Sequence, residues 1–122
     1  MSVCLLVDDS RVIRKVARRI IEELGFTCEE AEDGQQALDF CKKQFPRVIM
    51  LDWNMPVMDG LTFLKELRAL PGGDEPIVIF CTTENEMDKI QEAIMAGANE
   101  YIMKPFDAEI VSGKFSQVGL ID

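Results

Sequence analysis

No histidine occurs among the 122 residues. That removes His-based triads, imidazole general acid–base chemistry and the imidazole ligands of zinc. The four cysteines, Cys4, Cys28, Cys41 and Cys81, include no C-x-x-C pair, and each sits in a segment that reads as strand or helix. They are expected to be buried reduced thiols acting as small hydrophobes. Positive charge is scarce: 13 Lys+Arg stand against 22 Asp+Glu, a formal charge of −9. A cationic face for phosphate backbones is therefore missing, which argues against nucleic acid as a partner. Docking to an anionic membrane is disfavoured for the same reason. No apolar run nears the roughly 20 residues of a spanning helix. The start, Met-Ser-Val-Cys, shows no basic n-region and no cleavage site, so a cytoplasmic protein is expected. Chemistry is left to carboxylates, hydroxyls and lysines.

What is present suffices for a core. Hydrophobic residues make up 48% of the chain, and the length suits one domain over residues 1–122. Val3 to Val7 is an apolar run that ends in Asp8-Asp9-Ser10. Arg11 to Leu24 then repeats at helical spacing. Val12, Val16, Ile20 and Leu24 form the apolar stripe, with Ile13, Ala17 and Ile21 beside them and Arg14, Lys15, Arg18 and Arg19 on the opposite face. Ser10 is a fair N-cap, and Gly25 closes the helix. Thr27 to Ala31 reads as a polar strand near a sheet edge, and Gln35 to Gln44 as a second helix. Val48 to Leu51 is a short apolar run, suited to a strand buried on both faces, from which Asp52 emerges. Pro56 and Asp59-Gly60 forbid a continued ladder. Leu61 to Leu70 is a third helix. Ile77 to Cys81 is the most hydrophobic strand and ends in Thr82-Thr83. Asn85 to Ala96 is a fourth helix, Glu100 to Met103 a fifth strand. Asp107 caps a last helix to about Val118, with Ile110, Val111, Phe115 and Val118 inward.

Strand and helix alternate five times, which implies a parallel sheet covered on both faces: an α/β three-layer sandwich with five helices. In such a sheet the carboxyl ends of the strands share one edge, where ligands bind. The residues leaving those ends are Asp8-Asp9, Asp52, Thr82-Thr83 and Lys104. Taken singly, each reads as turn, cap or surface chemistry. Taken together, three carboxylates, a hydroxyl and an ammonium meet on one small patch. Carboxylates so crowded repel, and a divalent cation relieves them. Oxygen-only ligands favour Mg²⁺. With three carboxylates, Mg²⁺ and Lys104 the charge sums to about zero, so a phosphoryl group enters without a large penalty. Asp52 is the natural acceptor, because a carboxylate can form an acyl phosphate.

The motifs Val-Asp-Asp-Ser (7–10), Asp-Trp-Asn-Met-Pro-Val-Met-Asp-Gly (52–60), Thr-Thr-Glu (82–84), Ala-Gly-Ala (96–98) and Lys-Pro-Phe (104–106) make the chain resemble the receiver domain of two-component response regulators, most closely the single-domain chemotaxis type. The resemblance covers nearly the whole chain. It implies a flavodoxin-like sheet in order 2-1-3-4-5, which the spacing alone does not show. It further implies Asp52 as phosphoacceptor, and Asp9 and Asp52 as Mg²⁺ ligands with the main-chain carbonyl of Asn54. Asp8 would act through the ion's waters. Thr82 takes the place of the switch hydroxyl, Lys104 of the phosphoryl-binding lysine and Tyr101 of the switch aromatic. Pro105 falls at the family's cis-prolyl position. Asn54 and Glu84 occupy the positions that tune reset, and the pair is similar to that of chemotaxis receivers, which implies a short-lived phosphoryl state. The donor would be a histidine kinase. The target, a flagellar switch protein or another signalling protein, would meet a monomer on the face carrying Met87, Ile94, Tyr101, Lys104 and the last helix. Thr83 departs from the family, which usually has Ala, Gly or Ser there, and a β-branched side chain is expected to narrow access for the donor or to hinder movement of Tyr101.

Three other functions compete. An Asp-nucleophile phosphohydrolase needs a second acid two residues after the nucleophile, where this chain has Asn54, so turnover of external substrates is not expected. A flavin or nucleotide module needs a Gly-rich phosphate loop after the first strand, where acids stand instead. Within the family, a phosphate sink or relay intermediate remains the alternative to a motor regulator.

Overall fold

The computed structural model describes residues 2–122, apart from the side chains of Glu84 and Asn85. Five strands, β1 (Val3–Val7), β2 (Thr27–Ala31), β3 (Val48–Asp52), β4 (Ile77–Thr82) and β5 (Glu100–Met103), form one sheet in the order β2-β1-β3-β4-β5. Every pairing is parallel. The helices are α1 (Arg11–Glu23), α2 (Gly34–Lys43), α3 (Gly60–Ala69), α4 (Ile90–Met95) and α5 (Ala108–Gln117). The expected order and layering are therefore observed. Among the described residues, no helix is long and apolar enough to cross a membrane.

Alternation along the strands builds two cores. Leu5, Val7, Ile49, Leu51, Val78 and Phe80 point to one face, where they meet Leu38 of α2, Phe63, Leu64 and Leu67 of α3, and Ala93 of α4. Cys4, Leu6, Val48, Met50, Ile79, Cys81 and Ile102 point to the other, against Ala17 and Ile21 of α1 and Val111 and Phe115 of α5. Apolar residues on both faces explain why β1, β3 and β4 read as unbroken apolar runs. The polar β2 lies at an edge, as expected. All four cysteines are free and buried. Burial pushes the thiols of Cys41 and Cys81 up to about 12, so both behave as hydrophobes.

Helix starts follow their caps. Ser10, Asp33, Asp59 and Asp107 each accept a bond from the backbone N–H three residues on. Gly25, at φ +97°, closes α1 in the left-handed conformation.

Three packing expectations are corrected. On α1, Val12 and Val16 face solvent at 70% and 46% exposure, while Arg14 is buried at 7%. The inward positions are 14, 17 and 21. Arg14 enters because its guanidinium finds acceptors, donating to the Asp8 carbonyl at 2.6 Å and to Glu30 Oε1 at 2.8 Å. In α5, Ile110 is exposed, because Val111 and Phe115, one turn apart, take the core. The fourth helix begins as a 3₁₀ segment (Glu84–Lys89), and only Ile90–Met95 is α-helical. The Glu86 side chain, tied back to Thr83, holds that tighter start.

Candidate functional site

The parallel order carries the ends of β1, β3, β4 and β5 to one edge. Asp8 follows β1, Asp52 and Thr82 are the last residues of β3 and β4, and Lys104 follows β5. Lys104 lies between the two buried acids. Its Nζ donates to Asp8 Oδ2 at 3.0 Å and to Asp52 Oδ1 at 2.9 Å. The second oxygen of Asp8 accepts from the Ser10 N–H at 2.8 Å, so the residue that caps α1 also fixes the Asp8 carboxylate. Arg14, unforeseen as a site residue, holds the Asp8 carbonyl from beneath.

Asp9 is exposed beside the buried Asp8 and Asp52, and one oxygen from each lies within 4.8 Å of the others. Such a set of hard oxygen donors fits Mg²⁺, which takes few carboxylates and keeps waters. Electrostatics agree with a crowded acid site. Burial holds the Asp52 carboxyl above its ordinary value, outweighing the hydrogen bond and charge of Lys104, and the charge of Asp8 adds to the rise. For Lys104 burial opposes the charged form, yet the bonds to Asp52 and Asp8 overcome it and its pKa is raised.

Thr82 is fully buried, and its hydroxyl donates to the Thr83 carbonyl at 3.2 Å, not to Asp52. Tyr101 is half-buried on β5, with Lys114 Nζ 5.0 Å over its ring. The Lys104–Pro105 peptide is cis, as the resemblance implied. Asn54 does not project alone into solvent: its Nδ2 donates to Glu86 Oε2 at 2.5 Å. The Glu84 side chain lies outside the described residues. Thr83 is half-buried and donates both its N–H and its hydroxyl to Glu86 Oε1, each at 3.1 Å. Glu86 was legible in principle, since Thr83-Glu84-Asn85-Glu86 has the T-x-x-E spacing of a capping box.

The loop behind Asp52 is tightly built. Trp53 stacks on Phe80 with ring centroids 4.4 Å apart. The Gly60 N–H donates to the Trp53 carbonyl at 2.9 Å, and a Cβ on Gly60 would lie 2.0 Å from the Asp52 carbonyl oxygen. Only glycine lets the start of α3 approach the end of β3 so closely.

A parallel sheet in this order, with an acidic cluster and a bridging lysine at its carboxyl edge, defines a doubly wound α/β protein with a polar site at its strand ends. The response regulator receiver domain family matches residues 4–114, and the chain belongs to that family. It is 38% identical over 119 residues to the chemotaxis protein CheY-3 of Vibrio cholerae, covering 93% of this chain and 88% of that one. It is 37% identical to the chemotaxis protein CheY of Halobacterium salinarum, with 93% of both chains covered. Among solved structures it superposes on CheY4 of Vibrio cholerae with a TM-score of 0.89 at 35% identity, covering 97% of this chain and 98% of that one. The receiver domain of NtrX from Brucella abortus gives 0.84 at 27% identity, covering 96% and 97%.

Proposed function

We propose that this chain is a cytoplasmic signalling switch that takes a phosphoryl group from a histidine kinase onto Asp52 and passes the change to a target, in chemotaxis. The observation that carries the reading is the Lys104 ammonium bonded at once to Asp8 and Asp52, with Asp9 in reach of both. Asp9, Asp52 and the main-chain carbonyl of Asn54 would hold Mg²⁺, with Asp8 acting through its waters. That ion supplies charge neutralisation for the phosphoryl oxygens.

In the transfer, an Asp52 oxygen bonds to phosphorus as the phosphorus–nitrogen bond of the donor's phosphohistidine breaks. The electron pair returns to the imidazole. Lys104 then follows the new charge from carboxylate to phosphoryl oxygen. Thr82 gives up the Thr83 carbonyl and turns its hydroxyl to the same group. Tyr101 responds to the space Thr82 vacates and alters the face of α4, β5 and α5. A target selecting the altered face must in return favour phosphorylation. The relatives' names place them in chemotaxis, which supports a flagellar switch protein as the target.

The test is incubation with acetyl phosphate and Mg²⁺, for wild type and Asp52→Asn, followed by a pull-down with flagellar switch proteins. Wild type should acquire one acid-stable, base-labile phosphate and be captured; the variant should do neither. Label on another side chain, or a phosphoryl lifetime of many hours after donor removal, would contradict the reading. Phosphorylation without capture would favour a phosphate sink or relay intermediate.

A further inference from the structure

We infer that Glu86 is a positioning residue for the hydrolytic reset of Asp52, fixing the Asn54 amide with its nitrogen held and its oxygen free for the attacking water. This rests on the reading of Asp52 as phosphoacceptor. Glu86 is only 8% exposed, and three donors converge on it. Oε1 takes the Thr83 N–H and hydroxyl, each at 3.1 Å, and Oε2 takes Asn54 Nδ2 at 2.5 Å. The first two bonds organise the start of the 3₁₀ segment. The third does not belong to any helix start. It joins the loop after β3 to the 3₁₀ segment after β4, 32 residues apart, across the mouth of the site.

An amide has one donor end and one acceptor end. With Oε1 taking both Thr83 donors and Oε2 taking Asn54 Nδ2, it is the nitrogen end of the amide that faces the carboxylate. Flipping the amide would set oxygen against oxygen and leave a buried carboxylate short of a partner. Among the described residues, Asn54 Oδ1 is therefore the end left without a partner, two residues beyond Asp52. Its chemistry suits the reset step. A water oxygen bonds to phosphorus as the bond from phosphorus to Asp52 breaks, and the electron pair returns to the Asp52 carboxylate. The water's proton leaves with the phosphate or to solvent. An acceptor beside that water holds one of its hydrogens and aims its lone pair, an orienting effect that requires no proton transfer to Asn54.

Label wild type, Glu86→Ala, Glu86→Gln, Asn54→Ala and the Glu86→Ala/Asn54→Ala double variant with acetyl phosphate and Mg²⁺. Remove the donor and follow loss of phosphate from Asp52. Record the Asn54 side-chain amide resonances in the unphosphorylated proteins. Glu86→Ala should slow hydrolysis about five-fold, the worth of one hydrogen bond. It should have no further effect once Asn54 is alanine, and the Asn54 amide resonances should move. Glu86→Gln keeps one acceptor oxygen, preserves the fold if alanine does not, and should lie between. If the two alanine effects multiply, or the Asn54 resonances stay in place in both Glu86 variants, the inference is overturned while Asp52 remains the acceptor. If wild type takes no phosphate on Asp52, the phosphoacceptor reading itself falls and this inference with it.

Discussion

Lys104→Met should destabilise the fold by about 3 kcal/mol in magnesium-free buffer at pH 7. The substitution keeps the aliphatic stem and removes the ammonium that bridges the Asp8 and Asp52 carboxylates. The two contacts, at 3.0 and 2.9 Å, join side chains that are 16%, 8% and 10% exposed for Lys104, Asp8 and Asp52. At an effective dielectric of about 20 each is worth about 5–6 kcal/mol in Coulomb energy. Desolvation of the three groups offsets much of that sum, and the residue is the loss seen when one partner of a buried pair is removed. The pH dependence has a definite sign. Asp52 already has a folded pKa raised above its ordinary 3.8, so ionising it weakens the fold. Its stabilising influence is greatest below the unfolded value and is lost as pH rises through the folded one. Without Lys104 that folded value climbs further, and the variant should gain stability relative to wild type as pH falls from 7 toward 5. The contribution of Lys104 itself is fully present below its ordinary 10.5 and fades only as pH rises past its higher folded value. Urea unfolding from pH 5 to 8, with and without millimolar Mg²⁺, reads all of this, and the ion should recover part of the loss. A variant within about 0.5 kcal/mol of wild type at pH 7, or one with no acid-side gain, would refute the electrostatic account.

Other substitutions probe other links. Val57 is 81% exposed with φ +70°, a left-handed conformation that a β-branched residue resists. Val57→Gly should therefore raise stability by about 1 kcal/mol in equilibrium unfolding, and a loss would show that the loop does not store strain there. Gly60→Ala should cost about 3 kcal/mol or more, since its Cβ would meet the Asp52 carbonyl oxygen at 2.0 Å; a melting temperature near wild type would mean β3 and α3 can part easily. Arg14→Met should cost about 2 kcal/mol through the lost bonds to the Asp8 carbonyl and Glu30. The hydrogen bond from the Arg14 guanidinium holds the Glu30 carboxyl below its ordinary 4.5. That contribution is present above the ordinary value and lost as pH falls through the folded one, so the Arg14→Met deficit should shrink in acid.

Much of the site could be read from the chain because each residue follows an apolar run. Asp8, Asp9, Asp52, Thr82 and Lys104 are strand-end residues, and a parallel sheet leaves strand ends no choice but a common edge. Partners within helices and loops were harder to see. The α1 stripe is ambiguous because apolar residues fill seven positions between Val12 and Leu24, and their arc is wider than the buried face. Hydropathy ranks Arg14 as a surface residue, but a guanidinium with acceptors waiting beneath β1 can be buried. The T-x-x-E spacing pointed Glu86 at Thr83, while nothing along the chain pointed it at Asn54.

The sequence by itself determined the alternation of elements, the caps Ser10 and Asp107, the buried thiols and the acids at the strand ends, because these depend on periodicity and on the nearest few residues. Motif resemblance supplied the strand order. Only the tertiary structure decided which side of α1 turns inward, that Lys104 spans two acids, and that Glu86 holds Asn54. Those facts are distances between residues remote along the chain, and they exist only once the crossovers have brought the loops to one edge.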